Sequence, residues 1–442
     1  MNNSKFCLEC TTCRATFDFK KWFGLNQRCP SCESIVAKVV YANISEELTN
    51  VFENQDQSPQ GMWRYFNVLP LMSRENIISA GEGLVPVERW GFLETFAQNR
   101  YKIECRVYAH RQDNNYPTGS FKDLAGSLLA SVLKENGINQ YVVASTGNIG
   151  VAFARYISHF AGKVLVFIPS NSPSYKEGEI SIFGQKVYRV DGDYTRTKQL
   201  SMEFAKSNGL LAAVTGFDPM RIEAKRTMSF EWRRLSAHFP TVYIQALSGG
   251  TGPVGVMKGC KEMLAAGLIK KLPRLLLVQS DRCSPMADAW VSSKADGFPE
   301  GWQKRYPILD NPVTDIPTLA TGNPSGYPVV AECVKTSEGE IFSVPEEIAP
   351  IVGRLVSYEV AVRIGPAAAI GIAGFFYALK NNFIKSNDTV MINIGEGIRR
   401  DPDFMLKIMQ PGTHVAGIAD CTPFDRESYG MQLWSDLASF MK

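Results

Sequence analysis

Lys122 lies in PTGSFKDLAG, residues 117–126, where proline, glycine, small hydroxyl residues and a lysine meet at the start of a helical pattern. An amine so placed can attack a carbonyl and carry protons. Two further small-residue turns suit partner chemistry. STGN, residues 145–148, follows the apolar run YVVA and precedes a helical period, and SGGTGP, residues 248–253, follows VYIQAL and precedes VGVMKG. A strand, a small-residue turn and a helix offer free backbone N–H groups and a positive dipole end to an anion. Two such turns suit two anionic groups, one a cofactor phosphate and the other a substrate carboxylate. The third segment also satisfies GxGxxG at Gly250, Gly252 and Gly255, with Asp281 ending the next strand. A dinucleotide-binding oxidoreductase is therefore the competing reading, although it explains neither Lys122 nor STGN.

A second chemical device occupies the amino terminus. Two CxxC pairs, Cys10 with Cys13 and Cys29 with Cys32, are separated by fifteen residues. Four thiolates on two tight turns can close a tetrahedron around zinc. Cys7 forms an overlapping CxxC with Cys10, so the first pair is either Cys10 and Cys13, the preferred reading, or Cys7 and Cys10. Residues 1–41 hold six Lys or Arg against three Asp or Glu, too small an excess to argue for nucleic acid. A metal-stapled module packed on a larger body is expected. Cys105, Cys260, Cys283, Cys333 and Cys421 are scattered singly, the usage of small buried hydrophobes rather than of disulfides.

These groups need a scaffold to hold them. Apolar, β-branched runs recur at 141–144, 164–168, 187–190, 242–246, 275–278 and 390–394, and most are separated by stretches of helical period closed by glycine. Runs without polar alternation belong to strands buried on both faces, so the chain is α/β with mainly parallel sheets. The polar stretch from 42 to about Gly61 reads as a linker. A net charge of +3 over 442 residues gives no electrostatic argument for nucleic acid or an acidic membrane as partners, which would need a local patch, and neither is expected. The longest uncharged apolar stretch, 364–379, is too short for a membrane span, and the opening residues carry no secretory signal, so a cytoplasmic protein is expected.

PTGSFKD, STGN, DPMRIEAKRTMSFE, SGGTGPVGVMKG, GMWRYFNVLP, ATGNP and IGEGIRRDPD resemble, in order and spacing, the fold type II pyridoxal-phosphate enzymes, most closely the threonine synthase family. The resemblance extends over essentially the whole chain. It implies two three-layer αβα domains, with residues 42–99 and 213–442 forming a large cofactor domain and 100–212 a smaller mobile one, and a homodimer. It implies that Lys122 holds the aldehyde of pyridoxal 5'-phosphate as a Schiff base and moves protons at Cα and Cβ. Gly249, Gly250, Thr251 and Gly252 would cradle the cofactor phosphate, and Asn148 would hydrogen-bond the ring hydroxyl. Ser120, Ser145, Thr146, Gly147 and Arg221 would bind a small activated amino acid. The implied reaction converts O-phosphohomoserine and water to threonine and phosphate.

Several positions depart from the family pattern. Leu124 replaces an arginine, Thr215 and Gly216 replace an Asn-Ser pair before Arg221, and IGPAAA at 364–369 stands where Glu-Pro is usual. Ile394 aligns with a threonine whose hydroxyl faces the pyridine nitrogen. Either Asn393 takes that role, or water or another donor does. The departures cluster on substrate chemistry and keep open a β- or γ-replacement enzyme acting on O-phosphoserine or an O-acyl amino acid, in the manner of cysteate or diaminopropionate synthase.

Overall fold

The computed structural model describes residues 5–53, 60–145, 147–170, 172, 174–213, 218–410 and 412–441. Its first strands, β1 (Phe6–Cys10), β2 (Thr16–Phe17) and β3 (Ala37–Tyr41), form an antiparallel sheet in the order β2-β1-β3. Along β1, Phe6, Leu8 and Cys10 are buried while Cys7 and Glu9 are less so, the two-residue period of a strand with one covered face. Phe19, Trp22 and Phe23 of the helix Phe19–Gly24 fill that face. The module docks through Tyr41, whose hydroxyl donates to Glu223 at 2.9 Å and accepts from Arg226 at 3.0 Å. Both partners lie on the helix Pro219–Leu235.

The expected linker contains a helix, Ile44–Glu53. Ile44, Leu48, Val51 and Phe52 recur at helical spacing and pack on the core, with Phe52 edge-on to Phe230. That stripe is thin among Glu, Asn and Thr, so composition alone suggested no structure. Residues 54–59 of the same stretch lie outside the described residues.

The body follows as β4 (Val87–Arg89), β5 (Arg106–His110), β6 (Gln140–Ala144), β7 (Lys163–Pro169), β8 (Lys186–Val190), β9 (Leu211–Ala212), β10 (Val242–Ala246), β11 (Arg274–Ser280), β12 (Glu340–Val344) and β13 (Thr389–Asn393). One sheet has the order β12-β11-β10-β13-β5-β4, parallel except for the antiparallel edge strand β4. The other, β8-β7-β6-β9, is wholly parallel. Each of the six apolar runs falls on one of these strands. The reason is visible in β10 and β11. Tyr243, Leu275 and Leu277 enter one core with Trp232 and Met257, while Val242, Ile244, Leu276 and Val278 enter another with Val352 and Phe375. Helices cover both faces of the sheet, so neither face can alternate with polar residues. The apolar stretch 364–379 supplies one of them, the helix Pro366–Lys380, and no helix among the described residues is long and apolar enough to cross a membrane.

β5, within the range expected for the smaller domain, pairs with β13 and β4 in the six-stranded sheet, whereas the four-stranded sheet spans 140–212. Between the two sheets runs the helix Lys122–Glu135, packed on the helices Asn148–Ile157 and Pro219–Leu235. Its amino-terminal end meets the turns after β6, β10 and β13. Those carboxyl ends of parallel strands are where open α/β sheets place their ligands.

Candidate active site

The turn preceding Lys122 is held by its neighbour. The Asp123 carboxylate accepts from the Thr118 N–H at 3.0 Å and the Thr118 hydroxyl at 2.9 Å, and the Phe121 N–H donates to the Gly395 carbonyl at 3.1 Å. Lys122 is thereby fixed at the mouth of the cleft, its ammonium 3.6 Å from the centre of the Phe121 ring. Burial pushes its pKa down to about 7, Arg221 pushes the same way, and Glu396 opposes them. A substantial fraction of the amine is therefore neutral near pH 7.

The turn after β6 is organised by Ser145, whose Oγ accepts from the N–H groups of Gly147 at 3.1 Å and Gly150 at 3.0 Å. Thr146 lies outside the described residues, as do Thr215 and Gly216. The turn after β10 opens the helix Thr251–Ala265, and no side chain caps it. Gly250 has φ +83°, and a Cβ there would lie 2.2 Å from Val330; one on Gly252 would lie 2.7 Å from the Gln245 amide. Glycine is required at Gly250, and a side chain at Gly252 would displace the Gln245 amide; with no side-chain cap, the helix end is bare to an anion. Gly255 serves another purpose: a Cβ there would meet the Ile222 carbonyl at 2.6 Å, so it permits close helix packing. The Asp281 carboxylate accepts from the Glu346 N–H at 3.0 Å.

Asn393 ends β13 on the cleft wall, buried, with both amide atoms unpartnered. Such a group calls for a ligand that can meet it. Ile394 is fully buried and offers no hydrogen bond from its side chain. Lys122, Ser145, Gly147, Asn148, Arg221, the turn 249–252 and Asn393 all border the one cleft. Ser120 does not. Its hydroxyl is buried against the Thr118 hydroxyl at 3.1 Å and accepts weakly from the Lys122 N–H at 3.4 Å, which makes it part of the turn.

The structure adds Glu396, which sequence reasoning missed. Its carboxylate accepts from the Asn148 amide at 2.6 Å and the Ala367 N–H at 3.1 Å. It lies over Gly365, where a Cβ would approach the Glu396 Cγ to 2.8 Å. The Asn148 oxygen in turn accepts from Arg400 Nε at 2.9 Å, and Arg400 forms a bidentate pair with Glu179. Lys225 was missed as well, although its spacing of four from Arg221 puts both on one helix face.

At the amino terminus the sulfur atoms of Cys10, Cys13, Cys29 and Cys32 all lie within 4.8 Å of one another. The contacts Cys10–Cys32 and Cys13–Cys29 are 3.6 and 3.5 Å, near the roughly 3.8 Å edge of a tetrahedron with zinc–sulfur bonds of about 2.3 Å. The N–H groups of Thr12 and Ser31 each donate to a sulfur at 3.4 Å. Cys7 falls out of the set because the alternation along β1 directs it away from Cys10.

A lysine beside a bare, glycine-walled helix end, in the cleft at the carboxyl ends of parallel strands, defines the class: a fold type II pyridoxal-phosphate enzyme. The chain belongs to the pyridoxal-phosphate dependent enzyme family, which matches residues 78–395. It is 26% identical over 350 residues to the threonine synthase of Methanocaldococcus jannaschii, covering 78% of this chain and 82% of that one. It is also 26% identical over 345 residues to the cysteate synthase of Methanococcoides burtonii, covering 76% and 79%. The solved diaminopropionate ammonia lyase from Escherichia coli shares the fold, with a TM-score of 0.60, 16% identity and coverage of 75% and 88%. Family membership displaces the dinucleotide reading. The residues present fit pyridoxal phosphate: a desolvated amine, a glycine turn at an uncapped helix end, and the orphaned Asn393 amide.

Uptake of the cofactor aldehyde should follow the neutral fraction of Lys122. Its rate should rise through pH about 7 and level off well below the ordinary lysine value of about 10.4. Arg221→Gln removes a repelling charge and should move that midpoint upward. Stopped-flow absorbance against pH checks both; a rise continuing to pH 10 would contradict the assignment.

Proposed function

We propose that the protein is a threonine synthase-like lyase that converts O-phosphohomoserine and water to threonine and phosphate. The observation that carries this reading is one cleft holding both an amine with a lowered pKa, Lys122, and a guanidinium, Arg221, whose Nε has no partner. The bound cofactor would supply an electron sink for charge developing at Cα. The chain's own residues would do the rest. Lys122 would take protons from Cα and then Cβ as phosphate leaves Cγ; protons would return to Cγ and, after water adds at Cβ, to Cα, and the proton given up by the water would go to the departing phosphate. The turn at Ser145 and Gly147 would hold the substrate carboxylate, Arg221 would hold the leaving phosphate, and Asn148 would meet the ring hydroxyl. Asn393 would meet the pyridine nitrogen, consistent with its vacant hydrogen-bonding capacity.

Glu396 favours a second reading. A carboxylate on the cleft wall disfavours a phosphate dianion nearby, which suits a replacement enzyme acting on an O-acyl amino acid. The equal identity to a threonine synthase and a cysteate synthase is compatible with either reading.

Turnover separates them. O-phosphohomoserine should yield threonine and inorganic phosphate, Lys122→Ala should abolish both product and the borohydride-sensitive visible band, and Arg221→Ala should raise KM about 10- to 100-fold. Replacement of the acyl group of an O-acyl amino acid by an added nucleophile, with O-phosphohomoserine inert, would select the second reading.

Asn393→Ala should weaken cofactor binding about tenfold and slow turnover. Unchanged values in spectral titration would assign the pyridine nitrogen to another donor.

The four cysteines would hold a structural zinc ion. Purified protein should contain about one zinc per chain, and Cys29→Ser or chelation should lower the melting temperature while surviving protein keeps its visible band. Equal stability with and without metal would remove the assignment.

A further inference from the structure

Lys225 is 1% exposed, yet among the described residues it is in no ion pair. Its Nζ donates to one group, the Thr251 hydroxyl, at 2.6 Å. Two more cationic side chains, Lys122 and Arg221, lie close enough to repel it, and the carboxylate of Asp218 is the opposing charge. Desolvation and these neighbours hold its pKa well below the ordinary lysine range. With one hydroxyl as its hydrogen-bond partner and the Phe121 ring 5.3 Å from its Nζ, this buried amine is expensive to charge unless something anionic completes its surroundings.

The position of Thr251 indicates what that is. Thr251 is the first residue of the helix Thr251–Ala265 and borders the cleft beside Gly249, Gly250 and Gly252. Because Lys225 donates to the Thr251 oxygen, the proton of that hydroxyl must turn elsewhere, and it is free to donate toward the bare helix end. The route is opened by Gly255. Its missing Cβ would stand 3.0 Å from the Lys225 Cβ, so the lysine stem can run back along the helix to its start.

We infer that Lys225 is a positioning residue for the cofactor phosphate. It holds the Thr251 hydroxyl as a donor to that phosphate and supplies the nearby positive charge that the glycine turn itself lacks. The inference rests on the turn 249–252 being the phosphate cradle. It concerns the cofactor phosphate, and the phosphate of a substrate belongs instead with Arg221.

The test compares Lys225→Met with the wild type in absorbance titrations of apoprotein by pyridoxal phosphate and by pyridoxal, which has the same aldehyde and ring but no phosphate. The variant should bind pyridoxal phosphate about 10- to 100-fold more weakly and pyridoxal about equally, and inorganic phosphate should no longer raise its melting temperature. The apo variant should also melt higher than apo wild type near pH 7, because a desolvated polar amine beside Lys122 and Arg221 is replaced by an apolar side chain. Equal affinity of variant and wild type for pyridoxal phosphate would overturn the inference. So would a like loss for both aldehydes, which marks a general structural role, or a loss confined to O-phosphohomoserine. Should the Met variant fail to fold, Thr251→Val removes the donor while keeping the lysine; it should show the same selective loss, and the absence of that loss overturns the inference equally. Wild type that takes up pyridoxal phosphate no more tightly than pyridoxal would instead defeat the cradle on which the inference rests.

Discussion

The site depends on the cost of keeping a charge out of water. Lys122 and Asp123 are adjacent in the chain, and burial moves them in opposite directions, the amine down to about 7 and the carboxyl up to about 8. Near neutral pH much of this acid–base pair carries no charge, so the turn can be dry without a salt bridge. Dryness comes from position. The helix Lys122–Glu135 is buried along nearly its whole length between two sheets and their helices. A lysine at its start borders the cleft while its amine stays surrounded by protein. On an exposed helix the same sequence would keep an ordinary ammonium, inert toward aldehydes at neutral pH.

The second dependence is steric. Gly365 replaces the glutamate expected before Pro366, and the space above it is taken by Glu396. The departure at Gly365 and the placement of Glu396 form one exchange: a side chain is absent from the helix entry and a carboxylate reaches it from the turn after β13. That carboxylate also accepts from the Ala367 N–H, so it caps the helix Pro366–Lys380 in addition to fixing the Asn148 amide. A change at a packing turn thus reaches the group expected beside the cofactor ring. The chain of contacts continues through Arg400 to Glu179 on the helix Ser174–Ser181, next to the four-stranded sheet.

The parts of this architecture that could be read from sequence are those governed by local rules. Strands buried on both faces announce themselves as unbroken apolar runs, and CxxC pairs announce a thiolate cluster. What stayed hidden depended on contacts between distant residues. Whether Cys7 or Cys13 joins the cluster follows from strand alternation once β1 is known to have one covered face. The helix Ile44–Glu53 needed the docking surface offered by Phe230 and Tyr65. β5 was not evident as a strand because Arg106, Tyr108 and His110 break its apolar run, although it pairs on both sides. Ser120 belongs to a motif whose hydroxyl groups look equivalent in sequence, yet the turn consumes this one internally. Lys225 and Glu396 are invisible as site residues until the helix and turn carrying them are placed against the cleft.

The GxGxxG match shows why such patterns mislead. In a dinucleotide fold the glycines allow a tight turn, close approach of a phosphate and close packing of the helix. Here Gly250 adopts a positive φ, Gly252 clears the Gln245 amide beside an anion cradle, and Gly255 lets the helix Pro219–Leu235 pack at van der Waals range. The same three physical demands recur, so the same three glycines recur. The discriminating residues lie outside the pattern. A dinucleotide site needs a carboxylate at the end of the following strand to face the ligand's ribose, and Asp281 is not among the residues that line the cleft. A site for a phosphorylated aldehyde needs a desolvated amine facing the turn, and Lys122, more than a hundred residues earlier in the chain, meets that need through the fold alone.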